Sequence, residues 1–332
     1  MERPAITEPG RPLPDMQSPF KQLSAALTLS AALPLGNLMH QPPAAQLVYE
    51  HTSTGDNRLF YFPPAAGKTR AASPAVLWIH GGGWTGGSPE SFFPMARYTA
   101  ARGAASFVVQ YRLVNAGGVT MADSIADCKS AVRYLRGHAA ELNIDPDKIA
   151  VAGESAGGHL AAAVATLDGD NNPEDAPGIS ARPDALVLYN PCLDLGRSSF
   201  ARLLPGAAME PATRQRELAD QYSPLAHVHP GLPPTICIHG EADTVVSPDQ
   251  SRDFAAKMRQ AGNHCELVLL PGIPHAFLIP AYKCSEAVVV NALRRGDQFL
   301  ASLGYFSGEP TLTVSDPPAW VAKWPPGPTT AH

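Results

Sequence analysis

The chain has 332 residues, 45% of them apolar and 17% charged, with a formal net charge of −5. That balance excludes a wholly disordered chain, and the lack of a long Lys/Arg cluster excludes a nucleic-acid-binding surface. The length fits one large domain with flanking segments, since a single α/β unit commonly takes about 200 to 250 residues.

Residues 1–45 form a leading segment. Met1 to Pro19 is proline-rich and has little that could pack, which predicts disorder. After Met16, Lys21 precedes an apolar run from Leu23 to Leu33, the pattern of a secretory signal. The expectation is an exported protein, periplasmic or secreted, if translation starts at Met16, and a cytoplasmic one otherwise. Pro34 and Gly36 break the run too early for a membrane span, so no stable membrane insertion is expected.

Residues 46–306 carry the predicted domain. Gln46 to His51 and Arg58 to Pro63 read as antiparallel strands, after which strand, glycine-rich loop and helix repeat. The strand Ala75 to Ile79 ends in His80-Gly81-Gly82-Gly83-Trp84. Consecutive glycines leave backbone N–H groups unshielded, so Gly82 and Gly83 can face a developing oxyanion. The same loop fits a dinucleotide fingerprint at Gly81, Gly83 and Gly86. The acidic residue which that fingerprint needs about 20 positions later is missing from Ala104 to Val109, and the dinucleotide reading is set aside.

Ile125, Cys128, Val132 and Leu135 form one apolar stripe on a helix spanning 123–136. The apolar run Lys148 to Ala152 then meets Gly153-Glu154-Ser155-Ala156-Gly157, followed by a helix from His159 to Leu167. A serine flanked by glycines between strand and helix is a nucleophile elbow, and the Ala156 N–H joins Gly82 and Gly83 as an oxyanion donor. Residues 190–232 break the rhythm with Pro191, Pro205, Pro211 and Pro224 around a helical stretch, Thr213 to Asp220. They are expected to form a lid or pocket wall lined by Phe200, Leu204 and Met209; a crossover helix with long loops is the alternative.

The strand Thr235 to Ile238 leads to Asp243. Ser247-Pro248-Asp249-Gln250 predicts a helix start, with Ser247 as cap and Gln250 bonding back to it, and Gly262 ends that helix. The strand Cys265 to Leu270 leads to His275 on a loop, and a last helix, Lys283 to Leu303, closes at Gly304. Singly, an aspartate after a strand is ordinarily a turn or cap, and a histidine after Pro-Gly a surface residue. Together, Ser155, Asp243 and His275 sit at strand ends in one chain order, which points to a nucleophile, an orienting acid and a general base, with Asp194 as the alternative acid. Strands alternating with helices predict an α/β fold: a mostly parallel, doubly wound sheet with helices on both faces.

Residues 307–332 form a proline-rich tail whose Trp320 and Trp324 are either a packing anchor or a sugar-stacking pair. Of five cysteines, Cys128 and Cys237 read as buried thiols, and Cys265 and Cys284 could staple the His275 loop in an exported protein. His227 and His229 lack a third metal ligand, and the chemistry needs neither metal nor cofactor. The pattern specifies no oligomeric state.

The motifs His80 to Trp84, Gly153 to Gly157, Asp243 and Pro274 to Phe277 resemble those of α/β-hydrolase serine esterases with a histidine-glycine loop. These are the hormone-sensitive-lipase-like carboxylesterases and the bacterial feruloyl and acetyl-xylan esterase-like hydrolases. The resemblance covers Gln46 to Phe306 and departs from the first group at Glu154 and Trp84, leaning toward the second. It implies a serine carboxylesterase acting on small-molecule esters, short-chain or carbohydrate-linked (acetyl or feruloyl). An arylformamidase-like amidase would use the same residues, whereas a non-catalytic binding protein of this fold would usually lack one of them.

Overall fold

All seven residues from Ser73 to Ile79 are buried, the environment of a strand covered on both faces. The computed structural model describes residues 32–65, 72–115, 117–204 and 212–320. In chain order the strands are β1 (Leu33–Pro34), β2 (Ala45–Thr52), β3 (Gly55–Phe62), β4 (Ser73–Ile79), β5 (Ala105–Val109), β6 (Ile144–Glu154), β7 (Ala185–Tyr189), β8 (Thr235–Gly240), β9 (Cys265–Leu270) and β10 (Leu312–Thr313). The helices are α1 (Phe93–Ala101), α2 (Met121–Gly137), α3 (Ala156–Thr166), α4 (Ala212–Tyr222), α5 (Asp249–Gln260) and α6 (Glu286–Ser302).

Among the described residues, eight strands make one sheet in the order β2-β3-β5-β4-β6-β7-β8-β9. The pairs β2–β3 and β3–β5 are antiparallel and every other neighbouring pair is parallel. This is the doubly wound arrangement that the alternating pattern predicts. The period-2 alternation of β4 feeds two cores. Leu77 and Ile79 pack with Ile125, Val132 and Leu160 on the face of α2 and α3. Val76 and Trp78 pack with Met95, Tyr98, Val289 and Leu293 on the face of α1 and α6.

Several local expectations shift. Helix α2 starts at Met121, two residues before the predicted 123, behind a capping box in which Thr120 and Asp123 satisfy each other's backbone. Helix α5 starts at Asp249, and the Gln250 side chain does not bond back to Ser247, although its backbone N–H donates to Ser247 O at 3.0 Å. Its Oε1 instead accepts from Leu193 N (2.8 Å) and Asp194 N (2.9 Å). Tertiary demand for an acceptor outweighs the local cap here. Helix α6 begins at Glu286 rather than Lys283, because residues 279–284 turn the chain back from the His275 loop with Ala281 at φ 57°.

The ends are more involved in packing than the sequence implies. Leu35 and Leu38 are buried in the α1/α6 core, and β1 pairs with β10 of the tail. Glu286 accepts from Ser315 N (2.9 Å) and Ala319 N (2.7 Å), and Trp320 Nε1 donates to Cys284 O at 3.3 Å. Trp320 is thus a packing anchor; Trp324, Met209 and most of the apolar run from Leu23 lie outside the described residues. All five cysteines are free and buried. Cys265 Sγ donates to Glu266 O at 3.8 Å, and both Cys265 and Cys284 are free, so the expected Cys265–Cys284 staple is not formed. Among the described residues no helix is long and apolar enough to cross a membrane.

Candidate active site

The turn between β6 and α3 forces Ser155 to φ 56° and ψ −119°, a strained region for a residue with a Cβ. The turn is possible only because its flanks are bare. A Cβ on Gly157 would lie 2.1 Å from Ile79 O, and one on Gly153 2.3 Å from Gly157 O. Sheet bonds hold the strain in place: Ser155 N donates to Tyr189 O at 3.0 Å.

The parallel sheet carries the ends of β6, β8 and β9 to one edge, and there the three predicted residues meet. Ser155 Oγ lies 2.7 Å from His275 Nε2, and His275 Nδ1 lies 2.6 Å from Asp243 Oδ2. All three are at least nine-tenths buried. Burial by itself would raise the Asp243 carboxyl, but hydrogen bonds from His239, His275 and the Val246 N–H hold it well below the usual carboxylate range. An ionised carboxylate only accepts, so His275 Nδ1 is the protonated nitrogen and Nε2 is left to accept the serine proton.

A residue that sequence reasoning passed over completes the array. His239, four positions before Asp243, points Nε2 at Asp243 Oδ2 (3.2 Å) and Val246 O (3.1 Å) and Nδ1 at Ser251 Oγ (2.7 Å). Both groups facing Nε2 are acceptors, so Nε2 donates and Nδ1 accepts from the Ser251 hydroxyl. Asp243 Oδ1 meanwhile accepts from Val245 N and Val246 N at 2.8 and 2.9 Å. The i,i+4 spacing of His239 and Asp243 was the available signal. Asp194 is not part of this array: it is paired with Arg197 (2.9 Å) and Arg216 (3.4 Å).

The glycine loop lies beside the elbow. Gly82 adopts φ 122°, and a Cβ there would lie 2.1 Å from Gly86 O. Among the described residues the N–H groups of Gly82, Gly83 and Ala156 have no protein acceptor. Trp84 is fully buried behind this loop and donates from Nε1 to His159 Nδ1 at 3.2 Å. Tryptophan can only donate, so His159 carries its proton on Nε2 and gives that bond to Tyr222 O at 2.7 Å. Burial pushes both His80 and His159 down to about 4. On the other side, Glu154 Oε1 accepts from Leu278 N at 2.9 Å, three residues past His275, and burial pushes this carboxyl up to about 8.

The described part of the 190–232 segment packs onto the domain through Gln250, the Arg197–Asp253 ion pair (2.6 Å) and buried Leu204 and Ala219. Phe200 sits against Trp84, ring centroids 5.2 Å apart. His227 and His229 bind backbone carbonyls of Asp220 and Pro230. Among the described residues no group of three His, Cys, Asp or Glu side chains could hold a metal. A polar cleft of about 400 Å³, lined by Glu50, Arg112, Asp123, Asp170 and their neighbours, contains none of Ser155, Asp243 and His275.

Known proteins resemble this chain in sequence and in fold. The chain is 30% identical to esterase LipU of Mycobacterium tuberculosis over 80% of its own length and 85% of that protein's. It is also 30% identical to the probable carboxylic ester hydrolase LipM of the same organism, over 70% of this chain and 54% of LipM, so it spans about half the length of that relative. Thermogutta terrifontis esterase 2, solved with propionate bound, superposes with a TM-score of 0.72 at 36% identity, covering 80% of this chain and 96% of that one. The BD-FAE family matches residues 60–258, more than half of the sequence, and with the α/β-hydrolase sheet beneath it this chain belongs to that family.

Proposed function

We propose that the protein is a serine carboxylesterase that hydrolyses short-chain esters through an acyl-enzyme, with Ser155 as nucleophile, His275 as general base and acid, and Asp243 as the orienting acid. The observation that carries this reading is the unbroken hydrogen-bonded line from Ser155 Oγ through His275 to Asp243, at 2.7 and 2.6 Å. As Ser155 Oγ bonds to the ester carbonyl carbon, its proton passes to His275 Nε2. The Gly82, Gly83 and Ala156 N–H groups receive the resulting oxyanion, each such donor contributing on the order of 3 kcal/mol. Collapse of the tetrahedral species breaks the bond to the alkoxy group, which leaves with the proton from His275. Water then gives a proton to His275 and its oxygen to the acyl carbon, and the carboxylic acid departs with Ser155 restored.

Short acyl chains suit the site: the related Thermogutta esterase is described with propionate and with butyrate bound. Acetylated and feruloylated sugars are the carbohydrate-linked esters to test beside simple ones. The decisive experiment uses paraoxon, which phosphorylates that relative. Wild-type protein should lose its activity on p-nitrophenyl acetate and gain a mass adduct on Ser155. Ser155→Ala should remain folded, take no adduct and lose activity by at least about 10⁴-fold. Turnover retained in Ser155→Ala rejects the assignment.

A further inference from the structure

Resting on the carboxylesterase reading, we infer that Phe200 is the wall that limits acyl-chain length, a specificity-determining residue supplied by the segment inserted between β7 and β8. The argument begins with direction. The alkoxy group must face His275 Nε2, which protonates it as it leaves, so the acyl chain extends to the other side of Ser155, toward the glycine loop. Phe200 stands on that side. A methyl group built on Gly83 would lie 3.3 Å from Phe200 Cε1, and the ring meets Trp84 edge-on at 69° with centroids 5.2 Å apart. It is in contact with the oxyanion glycine itself and is half-buried.

The wall is held behind the ring and at the root of its turn. Trp84 behind the ring is fully buried and held by His159, which is held in turn by Tyr222 O at the end of α4. In front, the short helical turn carrying Phe200 is anchored at its root: Ser198 Oγ accepts from Phe200 N at 3.3 Å and donates to Leu195 O at 3.0 Å, and Arg197 pairs with Asp194 at 2.9 Å. A chain of several methylenes would have to displace a ring backed by buried Trp84. Acetyl to butyryl groups stop short of it.

The test is kcat/KM for p-nitrophenyl acetate, butyrate and octanoate, and for acetate esters of varied alcohols. Wild type should favour the short chains. Phe200→Ala should raise the octanoate-to-acetate ratio about tenfold or more, the scale of a few methylenes gaining room in an apolar pocket. Phe200→Trp should lower the butyrate-to-acetate ratio. The ranking of alcohols at fixed acetyl should not change in either variant. Active variants with unchanged acyl ratios, or with an altered alcohol ranking instead, overturn the assignment of Phe200 while leaving the esterase intact. A wild-type protein inert to every ester overturns both.

Discussion

The hydrogen bonds around Asp243 make it more than a partner for His275. Two backbone N–H groups and two imidazoles converge on its oxygens, so an amide cannot satisfy all four donors. Asp243→Asn should therefore lower kcat by about 10⁴-fold, since the wrong histidine tautomer is favoured. It should also destabilise the fold by about 1 to 3 kcal/mol, because a buried donor is left facing another donor. Steady-state kinetics and denaturant unfolding check the two halves separately. Glu154 gives the opposite expectation. Its carboxyl, raised to about 8 chiefly by burial, stays neutral at pH 7 while accepting from Leu278 beside the His275 loop. Glu154→Gln keeps the acceptor and removes the charge, so its activity should match wild type near pH 7 and persist above pH 8, where wild type declines. A parallel decline in both pH profiles would show that Glu154 does not set that limb. The position of Glu154 before the serine was visible in the sequence; its reach to Leu278 was not, because that contact joins residues 124 apart.

At the scale of elements, the described part of the inserted segment is tied to α5 by one fully buried side chain. Gln250 is fully buried, and its single Oε1 satisfies the N–H groups of both Leu193 and Asp194. Gln250→Leu leaves those donors without an acceptor and should cost about 2 to 3 kcal/mol. Thermal unfolding should read this as a midpoint lower by roughly 5 to 10 °C. Activity on acetyl esters near room temperature should largely survive, since Gln250 touches none of the reacting groups. The local pattern around Ser247 and Pro248 correctly placed a helix start, and Gly262 at φ 80° ends the helix as expected. It misassigned Gln250 because a cap is a local interaction and the sequence window contains nothing of residues 193 and 194. Strands, helices and turns were legible for the converse reason: apolar period, glycine and proline act within a few residues.

For the whole molecule, buried ionisable groups set the pH range of stability. His80 and His159 fall from 6.5 to about 4 on folding, so between those values the unfolded chain binds more protons and stability rises with pH. Each contributes on the order of 3 kcal/mol across that window. Glu154 rises from 4.5 to about 8, so the folded chain binds more protons there and stability falls as pH rises. Below 6.5 two imidazoles oppose the carboxyls; above it only carboxyls act. Glu50, raised by burial first and then by the charge of Asp127, flattens the acid-side rise and steepens the alkaline fall. With Glu50 included, two carboxyls offset two imidazoles across most of this window, so stability should be greatest at about pH 5 to 6 and decline toward pH 8 and toward pH 4. Unfolding free energies from urea titrations across pH 4 to 8 measure it, and a maximum at pH 8 would contradict the balance.

By itself the sequence determined the parallel α/β architecture, the elbow around Ser155 and the residues that stand at the ends of β6, β8 and β9. Each of these follows from short-range rules: which side chains alternate, where a glycine allows a turn, which residue follows a strand. Only the tertiary structure decided that Ser155, His275 and Asp243 share one line of hydrogen bonds, that His239 supports Asp243, that Cys265 and Cys284 stay unpaired, and that the tail docks on Glu286. Those outcomes depend on distances between segments up to 120 residues apart, which are fixed by how the strands twist and pack around two cores. No property of the chain at either position carries that information.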